Sequence, residues 1–242
     1  MYKVDKAIIM AAGEGTRMRP LTLHTPKPLI SVNGTPMIEN IIQSLHKNEI
    51  KEIYIVVGYL KEKFEYLKSK YSNITIINNP YYNTCNNISS LYVARNFIDN
   101  SIILDGDQII FNDDILTPYF YKSGYNVIWT DNHTTEWLLT VKNNTIVHCN
   151  REGGESGWKL YSVSRWNSED GNKLKRHIEI EFENNNNQIY WDDVAMFCYP
   201  EEYSLVIIEM NENDILEIDN IDELIAVDNS YIEYKKEGIY ER

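Results

Sequence analysis

Short apolar runs alternate with longer amphipathic segments over the first half of the chain. Four runs rich in Ile, Val and Leu are predicted to form buried strands: residues 7–10, 53–57, 74–77 and 102–104. The segments between them space their apolar residues as a helix does, which predicts helices at residues 36–47, near 61–70 and at 89–98. Strands that alternate with helices predict a parallel sheet covered by helices, as in nucleotide-binding βαβ units.

The second half of the chain is less regular. Short strands separated by polar turns are predicted at residues 127–129, 136–141, 145–148 and 159–163. They are expected to add an antiparallel part, which makes an α/β fold with a mainly parallel, mixed sheet flanked by helices. No repeat or linker divides residues 1–242, so we expect one domain with a nucleotide-binding core over about 1–120 and a substrate-binding insertion over about 121–242.

Composition narrows the possible partners. The 242 residues are 43% hydrophobic, enough for a core, and 23 basic against 36 acidic residues leave a net charge of -13, which repels nucleic-acid phosphates. No apolar run approaches the roughly 20 residues of a membrane span, and the first residues lack the apolar stretch of a leader. The three cysteines form no C-x-x-C pair. We therefore expect a cytoplasmic protein with no membrane or nucleic-acid partner.

A glycine loop follows the first predicted strand. Gly13 and Gly15 allow the main chain to approach a bulky anion, so that its N–H groups can bind phosphates. The loop lacks the third glycine of a dinucleotide-binding motif, and no G-K-[ST] follows to make a Walker loop. Arg17 and Lys27 lie just beyond it and suit the charge of a triphosphate, although each could equally be an ordinary surface base.

Two pairs of carboxylates are candidates for a metal site. Asp105 and Asp107 follow the fourth predicted strand, at the end of the sheet where ligands bind. Glu217 and Asp219 are two residues apart, so an extended segment would point both to one face. Oxygen ligands of this kind suit Mg²⁺, whereas a chain with 36 acidic residues also has many solvated acidic faces.

The motif A-A-G-x-G-T-R, followed by P-K-P-L, resembles the signature of the nucleotidyltransferases that activate sugar phosphates and polar head-group phosphates. The resemblance implies a Rossmann-like sheet with a smaller acceptor-binding lobe. It also implies that Arg17, Lys27 and Asp107 are catalytic and that Asp107, Glu217 and Asp219 hold Mg²⁺. Asp105 is the weaker metal candidate of its pair. The nucleotide-binding residues that it implies are Ala12, Gly13, Gly15, Arg17, Lys27, Asn86 and Ser90.

Aromatic residues are frequent where the acceptor lobe is expected. Rings attract cations, and a cage of rings is the usual way to hold a quaternary ammonium, which a neighbouring acid attracts as well. The alternative is that these rings belong to the hydrophobic core. The candidate acceptor-binding residues are Trp137, Trp166, Tyr190, Trp191 and Asp192.

Within the wider family the chain is most similar to the bacterial CTP:phosphocholine cytidylyltransferases of the LicC type. The similar segments are V-G-Y-L-K-E at 57–62, N-N-x-x-S-L-Y at 86–92, T-E-W at 135–137, S-V-S-x-W at 162–166, Y-W-D at 190–192 and the ending I-L-E-I-D at 215–219. Tyr161 replaces the glycine that is usual in that group, and Asp193 replaces its asparagine.

The resemblance implies a Mg²⁺-dependent reaction in which a phosphocholine oxygen attacks the α-phosphorus of CTP, giving CDP-choline and pyrophosphate. The nucleophile is already an anion, so positioning and electrostatic stabilisation suffice without a general base. One alternative is the same chemistry on phosphoethanolamine, an aminoalkylphosphonate or a sugar 1-phosphate. Another is a nucleotide-binding sensor without catalytic activity.

Overall fold

The computed structural model describes residues 1–237 of the chain. Its strands are β1 Tyr2–Lys3, β2 Lys6–Ala11, β3 Ser31–Val32, β4 Thr35–Pro36, β5 Glu52–Val57, β6 Ile74–Asn78, β7 Ser101–Asp105, β8 Gln108–Ile110, β9 Tyr119–Phe120, β10 Gly124–Thr130, β11 Leu138–Lys142, β12 Thr145–Asn150, β13 Gly157–Trp166, β14 Val206–Glu209 and β15 Ile215–Glu217. Its α-helices are α1 Met37–Lys47, α2 Leu67–Lys70, α3 Ile88–Ala94, α4 Ser168–Glu183, α5 Trp191–Asp193, α6 Ile221–Val227 and α7 Ile232–Glu237. Turns of 3₁₀ helix lie at Thr16–Met18, Leu21–Leu23, Lys27–Leu29, Lys61–Phe64, Arg95–Phe97, Asp113–Leu116, Pro200–Glu202 and Asn229–Tyr231, and Val194–Cys198 is a π-helical turn.

The four strands predicted in the first half lie side by side in the order β6, β5, β2, β7, and all are parallel. Both faces of β2 are buried. Ile9 belongs to the core that contains Ile41 of α1, whereas Ile8 belongs to the core that contains Leu91 of α3 and Leu174 of α4. Burial on both faces explains the unbroken apolar runs of these strands, and the predicted α/β fold is confirmed.

Antiparallel strands extend the sheet beyond β7, as predicted. β13 pairs with β7, β10 and β11, and β11 and β12 form a hairpin. A separate pair, β8 with β15, sets Glu217 opposite Gln108. This pair brings a late segment of the chain to the carboxyl end of β7, where ligands bind in open α/β sheets.

Helix α4 was not predicted from the sequence. Asn167 caps it, because its side-chain oxygen accepts a hydrogen bond of 2.8 Å from the amide of Asp170. Only a narrow stripe that includes Leu174 and Ile178 is buried. None of the helices within residues 1–237 combines the length and the apolar character that crossing a bilayer requires. The division of one domain into a nucleotide-binding core and an insertion at about residue 120 stays a prediction. Residues 238–242 lie outside the described residues.

Candidate active site

The loop after β2 carries the two glycines predicted to bind phosphate. Gly15 has a left-handed φ of 60°, and a Cβ there would lie 3.0 Å from the Cβ of Lys27. A Cβ built on Gly13 would meet no described atom within 4 Å. Both glycines line a cavity of about 300 Å³ together with Arg17 and Lys27. The main chain can therefore approach an anion in this cavity, and two cations border the same space.

Lys27 connects the two carboxylate segments. Its Nζ lies 2.5 Å from Oδ2 of Asp107 and 2.8 Å from Oδ1 of Asp219, and its side chain is only 9% exposed. Burial alone would lower the pKa of Lys27, but the two carboxylates outweigh it and raise the pKa above its ordinary value. Arg17, which is largely exposed, also donates to Oδ1 of Asp219 at 2.7 Å. The structure thus brings together both predicted cations and two of the predicted acids.

Three carboxylates gather at the end of β7. One oxygen from each of Asp105, Asp107 and Glu217 lies within 4.8 Å of the others. Burial, followed by repulsion from Asp107, raises the pKa of Asp105 to about 7. The same two causes raise the pKa of Glu217 well above its ordinary value. A cation bound among these carboxylates would favour their ionised forms, and perturbed pKa values of this kind are typical of functional sites.

These residues fit a hard divalent cation. Mg²⁺ takes oxygen ligands, and Oδ1 of Asp107 is buried without a hydrogen-bond partner among the described atoms. Asp219 is not one of these three carboxylates, and its Oδ1 accepts hydrogen bonds from Lys27 and Arg17. Asp105, ranked below Asp107 in the sequence analysis, belongs to the cluster. The ligand roles of Asp107, Glu217 and Asp219 stay predictions.

A second cavity, of about 250 Å³, shares Arg17 with the first, and each of the two cavities is lined by carboxylates of the site. Its walls combine aromatic rings with acids. The ring of Trp137 lies 5.5 Å from the ring of Tyr190 at an angle of 89°, so the two form a corner. Oδ1 of Asp192 is buried and has no hydrogen-bond partner among the described atoms. Lining this cavity are Arg17, Asn87, Asp105, Glu136, Trp137, Leu160, Ser162, Tyr190, Asp192, Glu217 and Asp219.

Burial favours the neutral form of the Asp192 carboxyl. Burial, followed by repulsion from Asp105, raises its pKa well above the ordinary value. The acid sits beside the aromatic corner, and a bound cation would favour its ionised form. The predicted grouping of Trp137, Tyr190 and Asp192 is therefore present.

Two of the predicted cage residues are placed differently. Trp166 and Trp191 are 0% and 1% exposed and belong to the hydrophobic core. The Nε1 of Trp166 donates to Ser164 at 2.9 Å, and the ring of Trp191 stacks on Tyr125. Neither lines the second cavity. Their prediction as acceptor-binding rings is wrong because strand β13 and helix α5 turn these large side chains inward.

Three further predicted nucleotide-binding residues lie outside the walls of both cavities. The carbonyl of Ala12 accepts a hydrogen bond from the amide of Tyr59 at 3.1 Å. Ser90 is buried and accepts from Asn79 at 3.0 Å, whereas Asn86 donates to the carbonyl of residue 188 at 3.2 Å. Their nucleotide contacts stay predictions.

The sequence analysis missed other residues of the second cavity. Asn87, next to the predicted Asn86, lines it and accepts a hydrogen bond of 2.8 Å from the amide of Trp191. Glu136 and Ser162 also line it. The available signal was the spacing within N-N-x-x-S-L-Y and T-E-W, but neither motif tells which of its polar residues points inward.

Comparison with known proteins identifies the family. The nucleotidyl transferase family model matches residues 6–134, more than half of the chain. The chain belongs to the nucleotidyl transferase family. It is a nucleotidyltransferase enzyme, so the alternative of a sensor without activity is set aside. The matched residues include the glycine loop, Lys27 and the end of β7, whereas most of the second cavity lies beyond them.

Relatives of this nucleotidyltransferase match it over nearly its full length. The 2-aminoethylphosphonate cytidylyltransferase of Lancefieldella rimae is 37% identical over 93% of both chains. The choline-phosphate cytidylyltransferase of Streptococcus pneumoniae is 35% identical over 89% of this chain and 93% of its own. The solved structure of the CTP:phosphocholine cytidylyltransferase LicC from S. pneumoniae has a TM-score of 0.88 at 33% identity, covering 94% of this chain and 99% of its own. The enzyme is therefore of the cytidylyltransferase type.

Proposed function

We propose that this enzyme transfers the cytidylyl group of CTP to phosphocholine, giving CDP-choline and pyrophosphate. The observation that carries the proposal is the corner of Trp137 and Tyr190 beside the buried Asp192, which lines the same cavity. Quaternary ammonium groups bind aromatic faces because they offer no N–H to a hydrogen-bond acceptor. The cavity that holds the corner and the cavity of the glycine loop are both lined by Arg17, which suits a reaction between a nucleotide and a cationic acceptor.

The chain contributes positioning and charge to this reaction. Main-chain N–H groups near Gly13 and Gly15 would bind the phosphates of CTP, while Arg17 and Lys27 would neutralise the departing pyrophosphate. An oxygen of phosphocholine attacks the α-phosphorus in line as the bond to the bridging oxygen of pyrophosphate breaks. The attacking phosphate is largely a dianion at neutral pH, so no residue has to remove a proton.

A divalent cation completes the charge balance of the site. Asp107, with Asp105 and Glu217 or with Asp219, would hold Mg²⁺. When bound, the ion supplies electrostatic stabilisation of the phosphate oxygens. Lys27 would then exchange part of its contact with these carboxylates for the phosphates of CTP. A cytoplasmic location and the absence of nucleic-acid and membrane partners stay predictions.

A second acceptor class is favoured by one specific observation. The buried Asp192 carboxyl has the Tyr125 hydroxyl as its neighbour, but its Oδ1 makes no hydrogen bond among the described atoms. A primary ammonium would supply an N–H that a quaternary ammonium lacks. Phosphoethanolamine and 2-aminoethylphosphonate both carry a primary ammonium. The L. rimae relative, named as a 2-aminoethylphosphonate cytidylyltransferase, supports keeping this class.

A methylation series separates the two acceptor classes. Pyrophosphate release with CTP and Mg²⁺ would be measured for phosphoethanolamine, its N-methyl and N,N-dimethyl derivatives, phosphocholine and 2-aminoethylphosphonate. Glucose 1-phosphate would serve as the control that has a phosphate but no ammonium group. We expect kcat/KM to rise with each methyl group, because each one adds contact with the rings and removes a donor. A fall along the series would instead assign a primary amine and make Asp192 the main determinant.

The same assay tests the nucleotide and the metal. CTP would be compared with UTP, dTTP and GTP, and turnover is expected with CTP. The Asp107→Asn variant serves as the inactive control, since it removes a charge from the proposed cation ligands. Wild-type turnover by this variant in Mg²⁺ would refute the metal assignment.

A further inference from the structure

One ion pair lies directly behind the aromatic corner. The guanidinium of Arg151 pairs with Oδ1 of Asp193, whose side chain is only 2% exposed. The Cζ of Arg151 also lies 4.0 Å from the ring centroid of Phe197 and 5.3 Å from that of Trp137. Arg151 is not among the described residues that line the second cavity. It therefore touches the wall of the cavity from outside.

Asp193 transmits this contact to the other ring of the corner. While its Oδ1 is paired with Arg151, its Oδ2 accepts a hydrogen bond of 2.9 Å from the amide of Tyr190. The amide of Asp193 in turn donates to the carbonyl of Tyr190 at 3.1 Å. Arg151 thus contacts Trp137 directly and Tyr190 through a single carboxylate.

The turn that carries Arg151 is fixed to the segment that carries Trp137. Thr134 and Gly154 exchange two backbone hydrogen bonds of 2.9 Å each. Gly153 has a φ of 73°, and a Cβ there would lie 1.9 Å from the carbonyl oxygen of Thr134. The approach is so close that only glycine fits, which holds the turn in one position.

We propose that Arg151 is a positioning residue for the acceptor, because it fixes Trp137 and Tyr190 in the corner that would receive the acceptor's ammonium. The inference deepens the proposed function and rests on it. It also gives a role to Asp193, where the sequence departs from the asparagine of the similar cytidylyltransferases. A charged residue at that buried position requires a cation, and Arg151 provides one whose flat guanidinium stacks on rings.

Steady-state kinetics of Arg151→Met test the proposal, using CTP and whichever amine acceptor the wild type converts. We expect the KM for the acceptor to rise about 10-fold while the KM for CTP and kcat change less than twofold. The Arg151→Lys variant keeps the ion pair but loses the flat contact, so its acceptor KM should rise about 3-fold. Arg176→Met, on the exposed side of α4, is the matched control and should leave both KM values unchanged.

Three results would overturn the proposal. The first is an acceptor KM that is unchanged in both Arg151 variants. The second is an equal rise in both KM values, which would indicate a general structural role. The third is a fall in acceptor KM, which would mean that Arg151 repels the acceptor's cation. The Arg151→Met/Asp193→Asn double variant removes the buried unpaired charge and is expected to recover stability but only part of the acceptor KM.

A crystal structure of Arg151→Met, or of Arg151→Lys if the first variant does not fold, tests the inference without turnover. We expect the rings of Trp137 and Tyr190 to separate from their 5.5 Å contact. Unchanged ring positions would overturn the positioning role even if the proposed acceptor were correct. Conversely, if the wild type were inactive toward every amine acceptor, the proposed function would be refuted. The crystal structure of the variant would still show whether the rings move.

Discussion

Replacing Lys27 by methionine should separate its ion pairs with the carboxylates from its proposed contact with the leaving pyrophosphate. The substitution removes the ammonium but keeps most of the buried aliphatic stem. Without a bound metal, the change breaks ion pairs of 2.5 and 2.8 Å made by a side chain that is 9% exposed. Breaking a buried pair costs about 3–5 kcal/mol. Asp107 and Asp219 are about one-fifth exposed, and Arg17 still pairs with Asp219, so we expect a loss of about 2–3 kcal/mol in the free energy of unfolding.

The kcat of Lys27→Met should fall much further than its loss in the free energy of unfolding would explain. A preorganised donor that meets charge developing in the transition state is worth about 10²–10³ in kcat, and Lys27 is proposed to meet the leaving pyrophosphate. Binding of Mg²⁺ should change in the opposite direction, since the ammonium no longer competes for the carboxylates. A tenfold tighter site would add about 1.4 kcal/mol to the stabilisation by excess Mg²⁺.

Thermal melts with and without Mg²⁺, together with pyrophosphate release, would measure these three effects. The matched control is Lys47→Met, because Lys47 pairs with Asp113 at 2.7 Å but is 65% exposed. That variant should lose less than about 1 kcal/mol and keep its turnover. If Lys27→Met kept wild-type kcat, or if Mg²⁺ stabilised it no more than the wild type, Lys27 would not share these carboxylates with a cation.

Two further predictions concern single residues of the second cavity, Asp105 and Trp137. The raised pKa of Asp105, about 7 against an ordinary 3.8, gives stability that is present below pH 4 and lost as pH rises through 7. Asp105→Asn should therefore stabilise the metal-free protein by about 1–3 kcal/mol at pH 8 and by little at pH 4 in thermal melts, and an equal effect at both pH values would refute this. Trp137→Ala should raise the acceptor KM about 10-fold. Trp166→Phe should lower the free energy of unfolding by about 1–3 kcal/mol without changing that KM. The reverse pattern would refute the placement of the two rings.

The nucleotide side of the site was predictable because local sequence determines it. The glycine loop, Arg17 and Lys27 lie within one short stretch that directly follows a buried strand. Asp107 follows the end of another strand of the same parallel sheet, and carboxyl ends of parallel strands lie at one edge. Such adjacency needs only the order of strands and helices, which the apolar pattern of the first half supplies.

The acceptor side was less predictable because burial decides it. Trp137 and Trp166 are equally aromatic in the sequence, yet one lines a cavity and the other is 0% exposed in the core. Helix α4 was missed for a related reason. Its buried stripe is narrow, and polar residues such as Glu179 occupy most of its surface, so its apolar period is weak. Contacts between distant parts of the chain, not the local apolar pattern, determine both the burial of Trp166 and the position of helix α4.

The arrangement of charge gives a zwitterionic acceptor only one productive orientation. Lys27 borders the glycine-loop cavity and Arg17 borders both cavities, whereas Glu136 and Asp192 line the second cavity with Trp137. An acceptor with an anionic phosphate at one end and a cationic amine at the other is attracted with its phosphate toward the nucleotide and its amine toward the corner. Reversing it would place like charges together at both ends. The same separation of charge selects against sugar 1-phosphates, because their uncharged ring offers no cation to the acids of the second cavity.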